Sequence, residues 1–278
     1  MGAGIRGAKS NPLPGFGAGV SLTIAWLGVL LVFPVLACLL KAGTLSWSEF
    51  AGVVWSARAR AACLLTFGLS AISAVLDLVL GTLLAWVLVR YRFPGRRLMD
   101  AVIDLPLALP TAVAGLVYSG LYVRTGWLGQ YLVPLGIEGA YSRLAIVLVL
   151  TFLGLPFVVR TVQPLLASLE PELEEAAESL GASRWATFVR VLLPALRPAM
   201  VTGGVLAFAR GLGEYGSVVF VSGNMPFRTE IAPVLIVQKL EEFATAEATA
   251  IAVVLLGFSM ASLGLISWLE SRRLRHAR

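Results

Sequence analysis

The chain has 278 residues, of which 58% are hydrophobic and 14% charged, and its mean hydropathy is +0.85. Soluble domains carry about 25% charged residues, so an ordinary water-soluble fold is excluded and an all-α integral membrane protein is expected. A net charge of +6 and a pI near 9.7 would suggest nucleic-acid binding in a soluble chain; here a membrane topology accounts for the same arginines, and no nucleic-acid partner is expected.

Spanning a bilayer takes about 20 apolar residues. Runs of that length occupy about 20–40, 62–89, 101–123, 144–163, 199–222 and 248–269, which predicts about six transmembrane helices. Arg6 and Lys9 precede the first run, and Val35-Leu36-Ala37-Cys38 has a faint likeness to a lipoprotein cleavage box. The run exceeds the 7 to 15 residues of a signal h-region and continues through Leu39 and Leu40, so an uncleaved span is expected. Cys38 and Cys63 are well separated and give no sign of a disulfide or a metal site.

In the second run Thr66, Gly68, Ser70 and Ser73 are small residues of the kind that let membrane helices pack closely or line a pathway. Asp77 falls mid-span, where an ionised acid costs roughly 2.5 to 3.5 kcal/mol, so it is expected to face protein, water or a partner helix. A structural pair and a place on a transport path are both open to it. The connection RYRFPGRR, residues 90–97, turns at Pro94-Gly95, and Asp100 and Asp104, four apart, are expected to pair with its arginines. Pro106, Pro110 and Gly115 interrupt the third run. The loop from Arg124 to Arg143 is rich in Gly and Pro, and its Trp127, Tyr131 and Tyr141 suit a membrane interface.

Between the fourth and fifth runs lies the one long polar stretch, EPELEEAAESLGASRWATFVRVLLPALRP, from Glu170 to Pro198. Pro171 at a first helical position, Glu172, Glu174 and Glu175 at the positive end of the dipole and Gly181 as a stop predict a short helix. A second helix is predicted from an N-cap at Ser183, with Trp185, Phe188, Val189, Leu192 and Leu193 at helical spacing, interrupted by Pro194 and Pro198. The hairpin is too acidic for hydrocarbon and is expected at the aqueous edge. Ala176 and Ala177 allow close approach to a partner, Glu175 can pair with a partner's base, and Gly181 sets the turn.

Glu175, Ala176, Ala177, Gly181, Val191, Leu193 and Pro194 resemble, in identity and spacing, the EAA motif of importer-type ABC transporter permeases, with Val for the usual Ile. The resemblance implies a type I ABC importer permease fold with a cytoplasmic coupling hairpin at 170–198, and these seven residues as its contact with an ATPase.

The fifth stretch, AFARGLGEYGSVVFVSGNMPFRTEIAP, places Arg210 and Glu214 one helical turn apart, able to neutralise each other in low dielectric, with Gly211, Gly213 and Gly216 alongside. Gly213 to Ser217 and Ser222-Gly223-Asn224 resemble the sulfate and thiosulfate permeases, T-type subunit, as do RYRFPGRR and the LPLALPTAVAG run of the third span. Molybdate permeases and the W-type sister subunit share the Gly-Glu-aromatic-Gly core and differ in the residues C-terminal to it. A translocation path past Arg210, Glu214, Tyr215 and Ser217 is an expectation, and Arg210 with Glu214 as a purely structural pair is an equal one. Ile231 to Val237, with Pro233 inside, is too brief to cross and is expected to form a re-entrant or gate-like piece.

Lys and Arg number fourteen on the side of the hairpin and both termini, against seven on the other, with Arg210 inside a span. The positive-inside rule then places both termini and the hairpin in the cytoplasm of a multi-pass inner-membrane protein. The expected divisions are 1–60, holding the N-terminal cytoplasmic segment, first transmembrane helix and outer loop; 61–269, the transmembrane domain; and 270–278, a basic tail that anchors to lipid headgroups.

There is no GxxxxGK[ST] phosphate loop, no HExxH and no GxSxG, and the single histidine is His276. An intramembrane enzyme or metal site has almost no residues to work with, and a secondary transporter is disfavoured by the small number of runs and the lack of an internal repeat. The resemblance instead implies a permease that itself binds no cofactor and works with an ATPase dimer holding ATP and magnesium, a second permease of the W-type, and a periplasmic sulfate- or thiosulfate-binding protein. Transport of molybdate, tungstate or another oxyanion is the alternative.

Overall fold

The computed structural model describes residues 16–170 and 172–276, with side chains to Trp268. Arg6, Lys9, Pro171 and the side chains of the basic tail lie outside the described residues. Ten helices carry the architecture: α1 (Phe16–Ala42), α2 (Trp47–Val54), α3 (Ala57–Arg90), α4 (Arg96–Ile103), α5 (Thr111–Tyr122), α6 (Arg143–Ser168), α7 (Glu172–Ser179), α8 (Arg184–Leu212), α9 (Ala232–Glu241) and α10 (Thr245–His276). Of these α1, α3, α6, α8 and α10 are long and apolar enough to cross a membrane.

Serines start four of the helices. The Ser56, Ser142 and Ser183 hydroxyls accept from the backbone N–H three residues on, and Ser46 forms a capping box with Glu49. Each satisfies one of the backbone donors left open at a helix start.

The third expected span is not one helix. Pro106 and Pro110 divide it into α4, a single turn at Leu105–Ala108, an extended Leu109-Pro110 and α5. The residue before a proline is driven out of the helical region, and Leu109 accordingly has ψ 134°. Five continuous spans and one broken one therefore account for the six apolar runs. The fifth expected span also shifts: α8 begins at Arg184 inside the hairpin, stops at Leu212, and one turn at Val218–Val221 resumes after an irregular Gly213 to Ser217.

Pro194 and Pro198, expected to interrupt, lie within continuous α8. A π-helical turn at Phe188–Leu192 sits immediately upstream, with Leu193 N–H donating to the Phe188 carbonyl. In α1 a π turn at Gly28–Val32 stands in the same register before Pro34. The wider turn carries the preceding carbonyls off the pyrrolidine ring, the clash that usually breaks a helix.

The core is built on α3, α6 and α8, packed against one another, in three apolar clusters along α3. Ala59 and Ala62 meet Ala232, Leu235 and Ile251; Leu69 meets Ile146, Val149, Val218 and Ile231; Ala74, Ala85 and Leu88 meet Val158, Val162, Leu166 and Leu196. Small residues on α3 make this possible: Thr66, Ser70 and Ser73 are buried, although Gly68 faces open space. Helix α9, only ten residues long, packs on α3 and α10 and does not cross. Helix α1 buries only Ala42 and packs on α10.

Candidate functional site: a hairpin and a polar break joined by one helix

The hairpin forms as its residues dictate. Helix α7 carries Glu172, Glu174 and Glu175 in its first turn, and Gly181 ends it at φ +82°, a left-handed conformation strained for any side chain. Ala182 N–H donates to the Ala177 carbonyl at 3.0 Å, closing the turn in the manner of a Schellman cap. Glu175, Ala176 and Gly181 are exposed; Leu180 is 90% and Trp185 73% exposed. The other half of the motif is placed differently. Val191 and Leu193 are half-buried, and Leu193 faces a cleft beside α3. Ala177 is half-buried as well and Pro194 is exposed, so of the seven motif residues Glu175, Ala176, Gly181 and Pro194 are presented while Ala177, Val191 and Leu193 turn partly inward.

Two contacts not foreseen from the sequence tie the hairpin to the body. Arg90, at the end of α3, pairs with Glu174 at 2.7 Å and donates to the Leu169 carbonyl at 3.3 Å. Trp86 of α3 packs on Phe188 at 5.5 Å between ring centroids, and Phe188 stacks on Trp185 at 5.9 Å.

At the far end of α8 lies the polar break. Arg210 pairs with Glu214, whose Oε1 accepts from Ser217 N–H at 2.8 Å and Ser217 Oγ at 2.9 Å. Glu214 and Ser217 are buried, so the charge is both paired and hydrogen-bonded, the condition under which burial is tolerated. A Cβ on Gly216 would overlap Thr111 Oγ1, and one on Gly115 would overlap the Ser217 carbonyl. The break thus rests backbone to backbone on the start of α5, so two interrupted helices meet. Tyr215 stands apart from the pair, packed on the Leu69 cluster.

Asp100 and Asp104 do not pair with the 90–97 arginines. Both take Arg160 of α6: its Nε and Nη2 donate to Asp104 at 2.8 and 2.6 Å, and its Nη1 to Asp100 at 2.8 Å. The Arg160 guanidinium holds the Asp100 carboxyl below the usual carboxylate range. The two acids share a helical face that turns toward α6 and away from the loop.

At the end of the molecule opposite the hairpin, Arg58 donates to both oxygens of buried Glu230, at 2.9 and 2.6 Å, and to Gln238 at 2.6 Å. Thr66 Oγ1 accepts from Ala232 N–H at 2.8 Å. These bonds anchor α9, and the 172 residues between Arg58 and Glu230 hide the pairing from any local pattern. The only signal was an acid and a base flanking apolar segments on the same side. Among the described residues no group of three or more His, Cys, Asp or Glu could hold a metal ion.

Comparison with known proteins gives consistent results. Residues 77–275 match the family model "Binding-protein-dependent transport system inner membrane component". The chain is 51% identical over 251 residues to the probable sulfate transport system permease protein cysT of Nephroselmis olivacea, covering 90% of this chain and 88% of the relative. It is 43% identical over 260 residues to the sulfate transport system permease protein CysT of Escherichia coli strain K12, covering 94% of each. Among solved structures, a chain of the bacterial alginate ABC transporter in complex with alginate pentasaccharide-bound periplasmic protein superposes with TM-score 0.76 at 20% identity, over 93% of this chain and 94% of that one. At that identity the likeness speaks for the fold.

Proposed function

Since the chain belongs to the family of binding-protein-dependent transport system inner membrane components, we propose that it is a sulfate- or thiosulfate-carrying permease subunit of an ATP-driven importer. The observation that carries the reading is α8. One helix starts in the exposed hairpin at Arg184 and ends at the polar break after Leu212, so a push on the first is delivered to the second. From Arg184 to Arg210 it spans about 40 Å at 1.5 Å per residue.

In this reading the hairpin and both termini are cytoplasmic, residues 61–269 form the transmembrane domain, and 270–278 is a basic tail. An ATPase dimer binds ATP and magnesium and presents a groove to each permease hairpin; Glu175, Ala176, Ala177, Gly181 and Leu180 enter it. A periplasmic sulfate- or thiosulfate-binding protein delivers the oxyanion, and a W-type sister permease completes the path past Arg210, whose side chain is partly exposed while Ser217 is buried beneath it. Arg210 has guanidinium N–H groups beyond the one given to Glu214, which suits an anion in transit. The hairpin must bind the two ATPase states unequally, because a partner that favoured neither would shift nothing.

Uptake of labelled sulfate by cells lacking the chain, with thiosulfate, molybdate and tungstate as competitors, tests the substrate. Restoration by the wild type and competition by thiosulfate are expected; competition by molybdate alone would reassign it. Glu175→Lys and Gly181→Val are expected to abolish uptake and co-purification with the ATPase while the spans remain inserted, and retention of both properties by both variants would overturn the coupling role.

A further inference from the structure

Where α3 passes α8 on the hairpin side there is a cleft of about 480 Å³, walled by Leu78, Thr82, Trp86, Trp185, Phe188 and Met200. It runs into a second of about 500 Å³ beside Pro194, Arg197 and Val201, and the two share Leu78, Leu193 and Met200. Together they make one trough between two membrane helices. Its walls are almost wholly aliphatic and aromatic, yet two features are foreign to simple hydrocarbon contact. Arg184 and Arg197 stand in the lining, exposed, and no ion pair engages either among the described residues. Thr82 Oγ1 and Trp86 Nε1 are buried in the wall residues without a hydrogen-bond partner.

We propose that this trough is a binding site for an anionic phospholipid, with the phosphodiester at Arg184 beside Trp86 and Trp185 and an acyl chain along Leu78 and Met200; Arg197, 13 residues on and so about 20 Å further along α8, adds positive charge to the second lobe. Charge complementarity selects this occupant. Apolar length with guanidinium groups at the rim and tryptophans beside them matches a lipid, which brings a tail and a phosphate in one molecule. A helix of a second permease laid there would bury two unpaired guanidinium groups, which is strongly unfavourable unless it brought acids to both. The lipid would contact both limbs of the joint between body and hairpin, since Trp86 belongs to α3 and Trp185 and Phe188 to the hairpin. The inference draws on the proposed orientation only in naming the leaflet as cytoplasmic.

The test uses the assembled transporter in phosphatidylcholine nanodiscs carrying a trace of phosphatidylglycerol with a diazirine acyl chain. Crosslinks are expected on α3 between Leu78 and Trp86 and on α8 around Met200, competed by unlabelled phosphatidylglycerol and not by phosphatidylcholine. Arg184→Gln with Arg197→Gln should lower that labelling roughly 30-fold, from the usual worth of two basic residues at an anionic surface. Met200→Trp should block it by filling the trough, with both arginines kept. Equal labelling by a phosphatidylcholine probe, or labelling unchanged in both variants, overturns the proposal. So does a photoreactive residue at Val79, which lines the cleft, capturing a permease chain in place of lipid. Sulfate uptake is read separately, so the transport reading stands or falls on its own experiment.

Discussion

Asp77 is buried at the crossing of α3, α6 and α8 with no hydrogen-bond partner for either oxygen, and it is accommodated because residue 154 has no side chain. A Cβ at Gly154 would overlap Asp77 Oδ2, with Ala207 closing the other side. Gly154→Ala is therefore expected to destabilise the purified protein by about 1–3 kcal/mol in thermal melts, the usual penalty for overpacking, and Asp77→Ala in the same chain to restore most of it. Arg58→Ala leaves Glu230 buried and unpaired; with Arg58 itself partly exposed, the expected loss is about 1–3 kcal/mol, and Glu230→Gln added to it should recover part. The Arg160 pair makes a pH prediction. Asp100 titrates below its ordinary range in the fold, so its contribution is complete above the unfolded carboxylate pKa and is lost as pH falls through the depressed folded value. Melting temperature should drop less steeply on acidification in Asp100→Asn than in the wild type. The sequence disclosed the acids and bases, and for Arg210 and Glu214 the partner too, because one helical turn joins them. It misassigned Asp100 and Asp104 because proximity along the chain says nothing about which way a helical face turns.

Among the elements, the hairpin was the most legible: its acids, Gly181 and Ser183 are local signals, and local geometry obeys them. The prolines were half legible. Pro110 breaks the third span as expected, whereas Pro194 does not break α8, because the π turn at Phe188–Leu192 relieves the ring before it arrives. Nothing in residue identity alone announces such a turn. Pro194→Ala restores a donor and removes the reason for the extra residue, so the turn is expected to tighten to α and rotate the hairpin limb by about 100° against the rest of α8. The distance between spin labels at exposed positions 98 and 180 should then change. An unchanged distance in Pro194→Ala would show that packing on Trp86 holds the π turn in place of the proline.

For the whole molecule, hydropathy revealed where apolar chain lies, and the broken third span and the shifted fifth were hidden because hydropathy does not report continuity. The charge asymmetry makes a direct prediction of orientation: cysteines placed at 92 and 184 should be labelled from the cytoplasm by an impermeant maleimide, and those at 124 and 228 from outside. Labelling of all four from one face would overturn the assignment. The Arg58 to Glu230 clamp has a consequence for how the protein is made. The acid leaves the ribosome 172 residues after the base, roughly 10–35 s later at bacterial rates of synthesis. Through that interval the start of α3 waits at the membrane surface with its guanidinium in water, and α9 cannot seat until translation is nearly finished. A nascent chain stalled or truncated before residue 230 should thus display an unlatched face opposite the hairpin, a mark by which a membrane protease could tell an unfinished protein from a complete one.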